Sequence, residues 1–201
     1  MRVIKKDKSI SWEEITEILH DAYSKHLKNG INFYAAYQDA EVTKRRAEKL
    51  GGVSATFVAL EENEPIATIS CYIKDGNKNY EGNKACCFHM FGVKKAYQGR
   101  RIGKLLLEQV ICFAKENNCD YLVCDTSEKA KDLIKMYSKN MKPVDYVHHG
   151  NTNYFSVFFS MPLNDKVDNL SGIDFKIIKF KYKVKYYTKH LIHKLKLVTA
   201  I

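Results

Sequence analysis

Apolar positions recur along the chain at two different periods, and the changes of period mark out its elements. Ile15, Ile18, Leu19, Ala22, Tyr23 and Leu27 fall at threes and fours, the spacing of one helix face. Ser9 or Ser11 caps this helix ahead of Trp12, Glu13 and Glu14 suit its first turn, and Gly30 ends it. A second helix, basic on its outer face, is predicted over 40–50 and closes at Gly51-Gly52. The runs at 55–60 and 66–73 are short, apolar and joined by Glu61-Glu62-Asn63-Glu64-Pro65, which predicts two strands around a turn. A polar loop at 75–84 leads to a third apolar run at 85–93. Helix periodicity returns over 102–116, where Leu105, Leu106, Gln109, Val110 and Phe113 form the inner stripe. A short buried strand follows at 121–124, then a helix capped by Ser127 and reaching about 140. An antiparallel pair at 144–148 and 154–161 closes the series across Gly150-Asn151-Thr152-Asn153. The order of helices and strands predicts an α+β, or mixed α/β, domain around a central sheet.

Composition adds one thing to this picture. The chain of 201 residues is 45% hydrophobic and 28% charged, which suits a globular domain and not a disordered one. Its formal net charge of +10 is unevenly spread: residues 165–201 hold nine Lys against three Asp, a net +6. The tail and the rest of the chain therefore need separate explanations. Within 173–201, Phe180 to Tyr186 alternates as a half-buried strand would. Ile177, Phe180, Val184, Tyr187, Leu191, Leu195 and Val198 instead recur at threes and fours, cover more residues, and predict a basic amphipathic helix. Three partners fit such a helix: its own domain or a second copy in a homodimer, an anionic membrane surface, and nucleic acid. Nucleic acid ranks last, because the tail has no Arg to make forked contacts.

No run is long and apolar enough for a membrane span or an export leader. The six cysteines form no Cys-x-x-Cys pair and read as reduced thiols of a cytoplasmic protein, with the tail allowing a peripheral place on the inner face of the membrane. His190 and His193 lack an acidic or thiol partner nearby, so no metal site is expected.

The stretch richest in chemistry runs from Val93 to Leu107. A buried strand ends, a basic turn containing Gly99 follows, and a helix begins inside that turn. A helix start offers unpaired N–H groups and partial positive charge, Gly99 and Gly103 let the backbone come close to a ligand, and Arg100, Arg101 and Lys104 add full charges. This is a cradle for a phosphate or pyrophosphate. A Walker loop does not fit, since Leu105 follows Gly103-Lys104, and a Rossmann fingerprint does not fit either. The plainer alternative is a basic helix start with no ligand.

Gln98-Gly99-Arg100-Arg101-Ile102-Gly103 resembles the Gln/Arg-x-x-Gly-x-Gly/Ala signature of the GNAT superfamily of acyl-CoA-dependent N-acyltransferases, with Arg101 in place of the middle Gly. Met136-Tyr137-Ser138-Lys139 resembles that family's Leu-Tyr-x-Lys, although Asn140-Met141-Lys142 lacks the Gly-Phe that usually follows. The resemblance implies a mostly antiparallel sheet with splayed fourth and fifth strands over 1–163, and leaves 164–201 as a basic extension. It also implies acetyl-CoA as acyl donor. Backbone groups of Phe91 and Val93 would hold the pantetheine arm, and Gln98, Gly99, Arg100, Arg101, Ile102, Gly103 and Lys104 would form the pyrophosphate loop. Tyr137 matches the family's general acid, with plain core packing as its alternative. For the base, the fourth strand offers only His89, which reads equally well as a hydrogen-bonded core residue; Asp125, His148 and His149 are fallbacks. Helices one and two usually wall the acceptor site, and here they carry Tyr23, Phe33, Tyr34 and Tyr37 beside Asp39 and Glu41. The implied activity is N-acetylation of a small-molecule amine such as an amino sugar. The alternatives are a protein N-acetyltransferase, or a membrane- or nucleic-acid-associated module on a degenerate GNAT fold.

Overall fold

The computed structural model describes residues 1–48, 52–76, 84–164 and, in the tail, 180, 183–184 and 186–188. Up to residue 164 its elements are β1 Arg2–Lys5, α1 Trp12–Lys28, α2 Ala40–Glu48, β2 Ser54–Glu61, β3 Glu64–Asp75, β4 Lys84–Val93, α3 Ile102–Glu116, β5 Tyr121–Ser127, α4 Lys131–Tyr137, β6 Lys142–His148 and β7 Phe155–Pro162. One seven-stranded sheet runs β1-β2-β3-β4-β5-β7-β6. Every neighbouring pair is antiparallel except β4–β5, which α3 connects in parallel. This is the expected α+β fold with its mostly antiparallel sheet.

The unbroken apolar run of β2 reflects burial on both faces. Phe57 and Ala59 join Leu106, Val110 and Phe113 of α3 on one side. Val58 and Leu60 meet Ile15, Ile18 and Leu19 of α1 on the other. Of the two candidate caps, Ser11 is the one used: its Oγ accepts from the Glu14 amide at 3.1 Å, and the Glu14 carboxylate accepts from the Ser11 amide at 2.7 Å. Ser9 bonds to Asp7 instead.

Three expectations change. In α3, Leu105 and Gln109 are exposed, and the buried stripe is Ile102, Leu106, Val110, Phe113 and Ala114. Residues 2–5 form an edge strand, which four residues among lysines do not announce. Ser127 ends β5 and does not cap a helix; its Oγ accepts from the Lys129 amide at 3.1 Å, and α4 starts only at Lys131 and stops at Tyr137. His190 and His193 lie outside the described residues, as does most of the predicted tail helix. The described tail residues are helical.

The feature that builds a site is where β4 and β5 part. They pair only through Ala85–Cys87 and Tyr121–Val123. Beyond that point β4 follows β3 and β5 follows β7. An extra residue enters β4 between His89 and Gly92, with Met90 at φ 48°, and this bulge bends the strand away.

Candidate active site

The turn after β4 is held before any ligand arrives. Asp21 of α1 accepts the Lys95 amide at 2.6 Å, and the Gln98 side chain donates to the Val93 carbonyl at 3.0 Å. Gly99 takes φ 82°, which only glycine adopts without strain. Arg101, where the family signature has glycine, sits at φ 62° immediately before α3. Among the described residues, no amide from Gly99 to Gly103 donates a hydrogen bond; the first donor is Lys104, to the Arg101 carbonyl at 3.0 Å. Five amides are thus free at a helix N-terminus.

The side chains are placed less simply than the sequence suggested. Arg100 pairs with Glu61 at 3.3 Å and lies over the Tyr97 ring. Lys104 reaches Glu108 at 3.8 Å. Arg101 is exposed. The close approach at Gly103 is to protein: a Cβ there would stand 3.0 Å from the Phe91 ring.

A cleft of about 460 Å³ opens among the end of β4, α1, the start of α3 and α4, lined by Tyr23, Phe91, Val93, Gln98, Gly103 and Tyr137 among others. Tyr23, Phe91, Leu133 and Tyr137 also line a second cavity of about 100 Å³, together with Tyr34, Arg46, His89, Asp125 and Thr126. Arg46, Phe88, His89, Cys124 and Asp125 continue into a third of about 230 Å³. The shared walls make a passage through the sheet. Tyr23 and Tyr137 stand at its first narrowing, and His89, Asp125 and Arg46 at its second.

Tyr137 packs on Phe88 and Phe159, with ring centroids at 5.9 and 5.7 Å. Burial raises its phenol well above the ordinary range, with Cys124, Tyr23 and Asp125 adding to the effect, so it keeps its proton at neutral pH. Burial likewise pushes Tyr23 up to about 12. Its hydroxyl donates to the Phe91 carbonyl at 3.1 Å, tying α1 to the bulge. His89 stands edge-on to Tyr72 at 5.5 Å. His148 and His149 line none of these three cavities; His148 lies against Phe155 and Tyr186 of the tail. Asp39 caps α2 by accepting the Val42 amide at 2.7 Å, and neither it, Glu41 nor Tyr37 lines the passage, whereas Tyr23, Phe33 and Tyr34 do.

Arg46 is the residue the sequence reading missed. Taken as part of the basic outer face of α2, it turns inward, over the Tyr34 ring at 5.4 Å, and donates to the Gln38 side-chain carbonyl. Its signal was weak but present: it lies three residues after Thr43 and directly before Ala47, both buried. Burial lowers its pKa, with Tyr23 and Asp125 acting in the opposite direction.

The free amides beside an apolar-walled cleft suit an anionic group such as a phosphate bound at the helix start. Among the described residues no group of His, Cys, Asp and Glu could hold a metal ion, and no helix is long and apolar enough to cross a membrane.

Comparison with known proteins agrees with this fold. Residues 12–141 match the model of the acetyltransferase (GNAT) family. An uncharacterized N-acetyltransferase of Dictyostelium discoideum is 43% identical over 54 residues, which is 27% of this chain and a quarter (25%) of that protein's length. A GNAT-family acetyltransferase from Staphylococcus aureus superposes with a TM-score of 0.59 at 19% identity, covering 81% of this chain and 99% of that one. The ribosomal-protein-S18-alanine N-acetyltransferase of Escherichia coli does so at 0.58 and 12% identity, covering 84% and 97%. At these identities the two structures speak for the fold alone.

Proposed function

The chain belongs to the GNAT acetyltransferase family, and from that footing we propose that it moves an acetyl group from acetyl-CoA directly onto the primary amine of a small molecule. The observation that carries this reading is the passage between β4 and β5, with the free amides of Gly99–Gly103 at its outer end and the protonated phenol of Tyr137 at its first narrowing. Acetyl-CoA supplies an activated carbonyl carbon and a thiolate leaving group. The free amides of Gly99–Gly103, within the segment Gln98–Lys104, take the pyrophosphate. The backbone of Phe91 and Val93 guides the arm; the Phe91 carbonyl has a lone pair left beyond its bond from Tyr23.

As the amine nitrogen bonds to the carbonyl carbon and the C–S bond breaks, Tyr137 gives its proton to the departing sulfur, and the second proton that the nitrogen sheds restores the phenol. The proton lost by the acceptor ammonium goes to His89, on the strand facing Asp125 across the second narrowing. Isothermal titration with acetyl-CoA and a free-thiol release assay over an amine panel test the reading. Binding and amine-dependent thiol release are expected, and Tyr137→Phe is expected to lower kcat by about 100-fold or more with acetyl-CoA affinity retained. Absence of binding overturns the reading. An unchanged kcat in Tyr137→Phe at every pH removes only the acid assignment.

We also propose that the tail rests on an anionic membrane surface. Phe180 is 71% exposed, Val184 48% and Tyr187 58%, and in sequence they lie among closely spaced lysines. That combination suits anionic lipid.

A further inference from the structure

The second narrowing of the passage holds two full charges that make no ion pair with each other or with any other described residue. Arg46 and Asp125 both line the second and third cavities, on α2 and β5 respectively. No carboxylate among the described residues comes within ion-pair distance of Arg46, and no cation within that distance of Asp125. Asp125 is exposed to the cavity side, whereas Arg46 is half-buried. A guanidinium in such a place is ordinarily paired, since an unpaired charge removed from water is strongly disfavoured.

Arg46 is nonetheless held in one position. Gln38 accepts its Nη1, and Gln38 itself is buried, donating to Thr43 Oγ1 at 2.7 Å. Thr16 of α1 donates to the same Thr43 oxygen at 2.8 Å. The guanidinium carbon lies over the Tyr34 ring, 5.4 Å from its centroid. Two helices and the turn between them thus fix one fork of the guanidinium, and no remaining nitrogen of it is sealed inside the protein without a partner. A preorganised guanidinium fork with free N–H groups facing a cavity suits a planar carboxylate.

We infer that the acceptor is a small amine that also bears a carboxylate, with Arg46 taking the carboxylate and the amine lying between Asp125 and Tyr137. The inference rests on the acetyl-transfer reading above and narrows its acceptor to amino-acid-like molecules. The second and third cavities, of about 100 and 230 Å³, are of a size for one such molecule. A polycationic amine would bring further positive charge against a poorly solvated guanidinium, and a simple amino sugar offers no carboxylate to meet it.

The test uses the full-length protein and paired acceptors: α- and ω-amino acids, each beside its carboxamide. In the thiol-release assay kcat/KM for the carboxylate member is expected to exceed that for its carboxamide by roughly 10- to 100-fold, the range one lost charge-assisted pair carries. Arg46→Gln is expected to bring the ratio close to one, and Arg46→Lys to keep part of it. Titration of the same pairs into the CoA-saturated protein is expected to show the same preference in affinity. Because Arg46→Gln also removes a bond to buried Gln38, thermal melts accompany it. If that variant does not fold, the wild-type ratio and Arg46→Lys decide. Carboxamides acetylated as well as carboxylates, or a ratio unmoved in both variants, overturn the inference and leave acetyl transfer standing. Failure to bind acetyl-CoA overturns acetyl transfer itself. The acceptor titration, repeated on the protein alone, then still upholds the inference by a carboxylate preference or overturns it by equal binding.

Discussion

Residue by residue, the pyrophosphate loop is a test of where glycine matters and why. Gly99 and Gly103 look alike in the sequence but are constrained differently. At Gly99 a Cβ would meet nothing within 4 Å, yet φ is 82°, so the objection to a side chain is conformational. Gly99→Ala is therefore expected to lower stability by about 1 kcal/mol, read from denaturant midpoints at constant m-value. At Gly103 the helix conformation is ordinary and the objection is the Phe91 ring at 3.0 Å. Ala there gains about 1 kcal/mol of helix propensity against the crowding, and the change is expected to be smaller than at Gly99. Arg101 is the converse case, a side chain in a left-handed position at φ 62°. Arg101→Gly is expected to be neutral or stabilising by up to about 1 kcal/mol, because relief of strain offsets the greater freedom of glycine in the unfolded chain. This also explains the departure from the family signature, since left-handed backbone tolerates Arg at a modest strain. The loop was legible because glycines, basic residues and a helix start are all local features. Arg46 was not, because the inward turn of one of two adjacent arginines depends on Gln38 and Tyr34, which fold brings to it.

At the scale of elements, α1 bears on the site more than its place at the front of the chain suggests. It presents Tyr23 to Phe91, Asp21 to the Lys95 amide and His26 to the cleft wall. The sequence left Ser9 and Ser11 open as its cap; the structure settles on a Ser11–Glu14 capping box, and Ser11→Ala is expected to cost about 1 kcal/mol in denaturant melts. His26 adds a dependence on pH. Only 8% exposed, it stands edge-on to Phe33 at 5.3 Å, and burial lowers its pKa below the free value of 6.5. The unfolded chain therefore takes up this proton more readily than the folded one. The stability that neutral His26 allows is complete above about pH 6.5 and erodes as the pH falls through that value. Thermal melts between pH 8 and pH 5 are expected to show the decline, and His26→Phe to flatten it. Other elements were legible to different degrees. β2, β3 and α3 carry long uniform patterns and sit close to where periodicity put them. β1 owes its existence to an edge of β2, through pairs such as Val3 with Ala59, and nothing local reports that. α4 begins late because Ser127 is claimed by pairing with Ser156 of β7.

For the whole molecule, the net charge of +10 separates into surfaces with different work. Few of its charges line the passage, where free amides and one held guanidinium do the recognising. Most of it lies in the tail, and the described part of that tail faces two ways. Tyr186 turns to its own domain, against His148 at 4.5 Å and Phe155 at 5.1 Å, while Lys183 reaches Glu128 at 3.5 Å. Phe180, Val184 and Tyr187 point outward. The three described members of the apolar stripe are thus turned away from the domain, and attachment goes through Lys183 and Tyr186 between them. If the outward face meets anionic lipid, aromatic burial and lysine attraction act together, at about 1 kcal/mol for each lysine near the surface. Full-length protein is then expected to sediment with vesicles containing phosphatidylserine, to remain in solution with neutral vesicles, and to be released as salt rises. Replacing Phe180, Val184 and Tyr187 together by Ser leaves the charge untouched and is expected to weaken vesicle binding by at least about tenfold, from the apolar area alone. Equal sedimentation of the triple variant and the parent would show that charge alone drives adsorption. A parent that ignores vesicles but doubles its mass in solution would assign the face to a second copy of the chain. Throughout, acetyl transfer measured on the same samples is expected to stay constant, because the passage and the outward tail face share none of their residues.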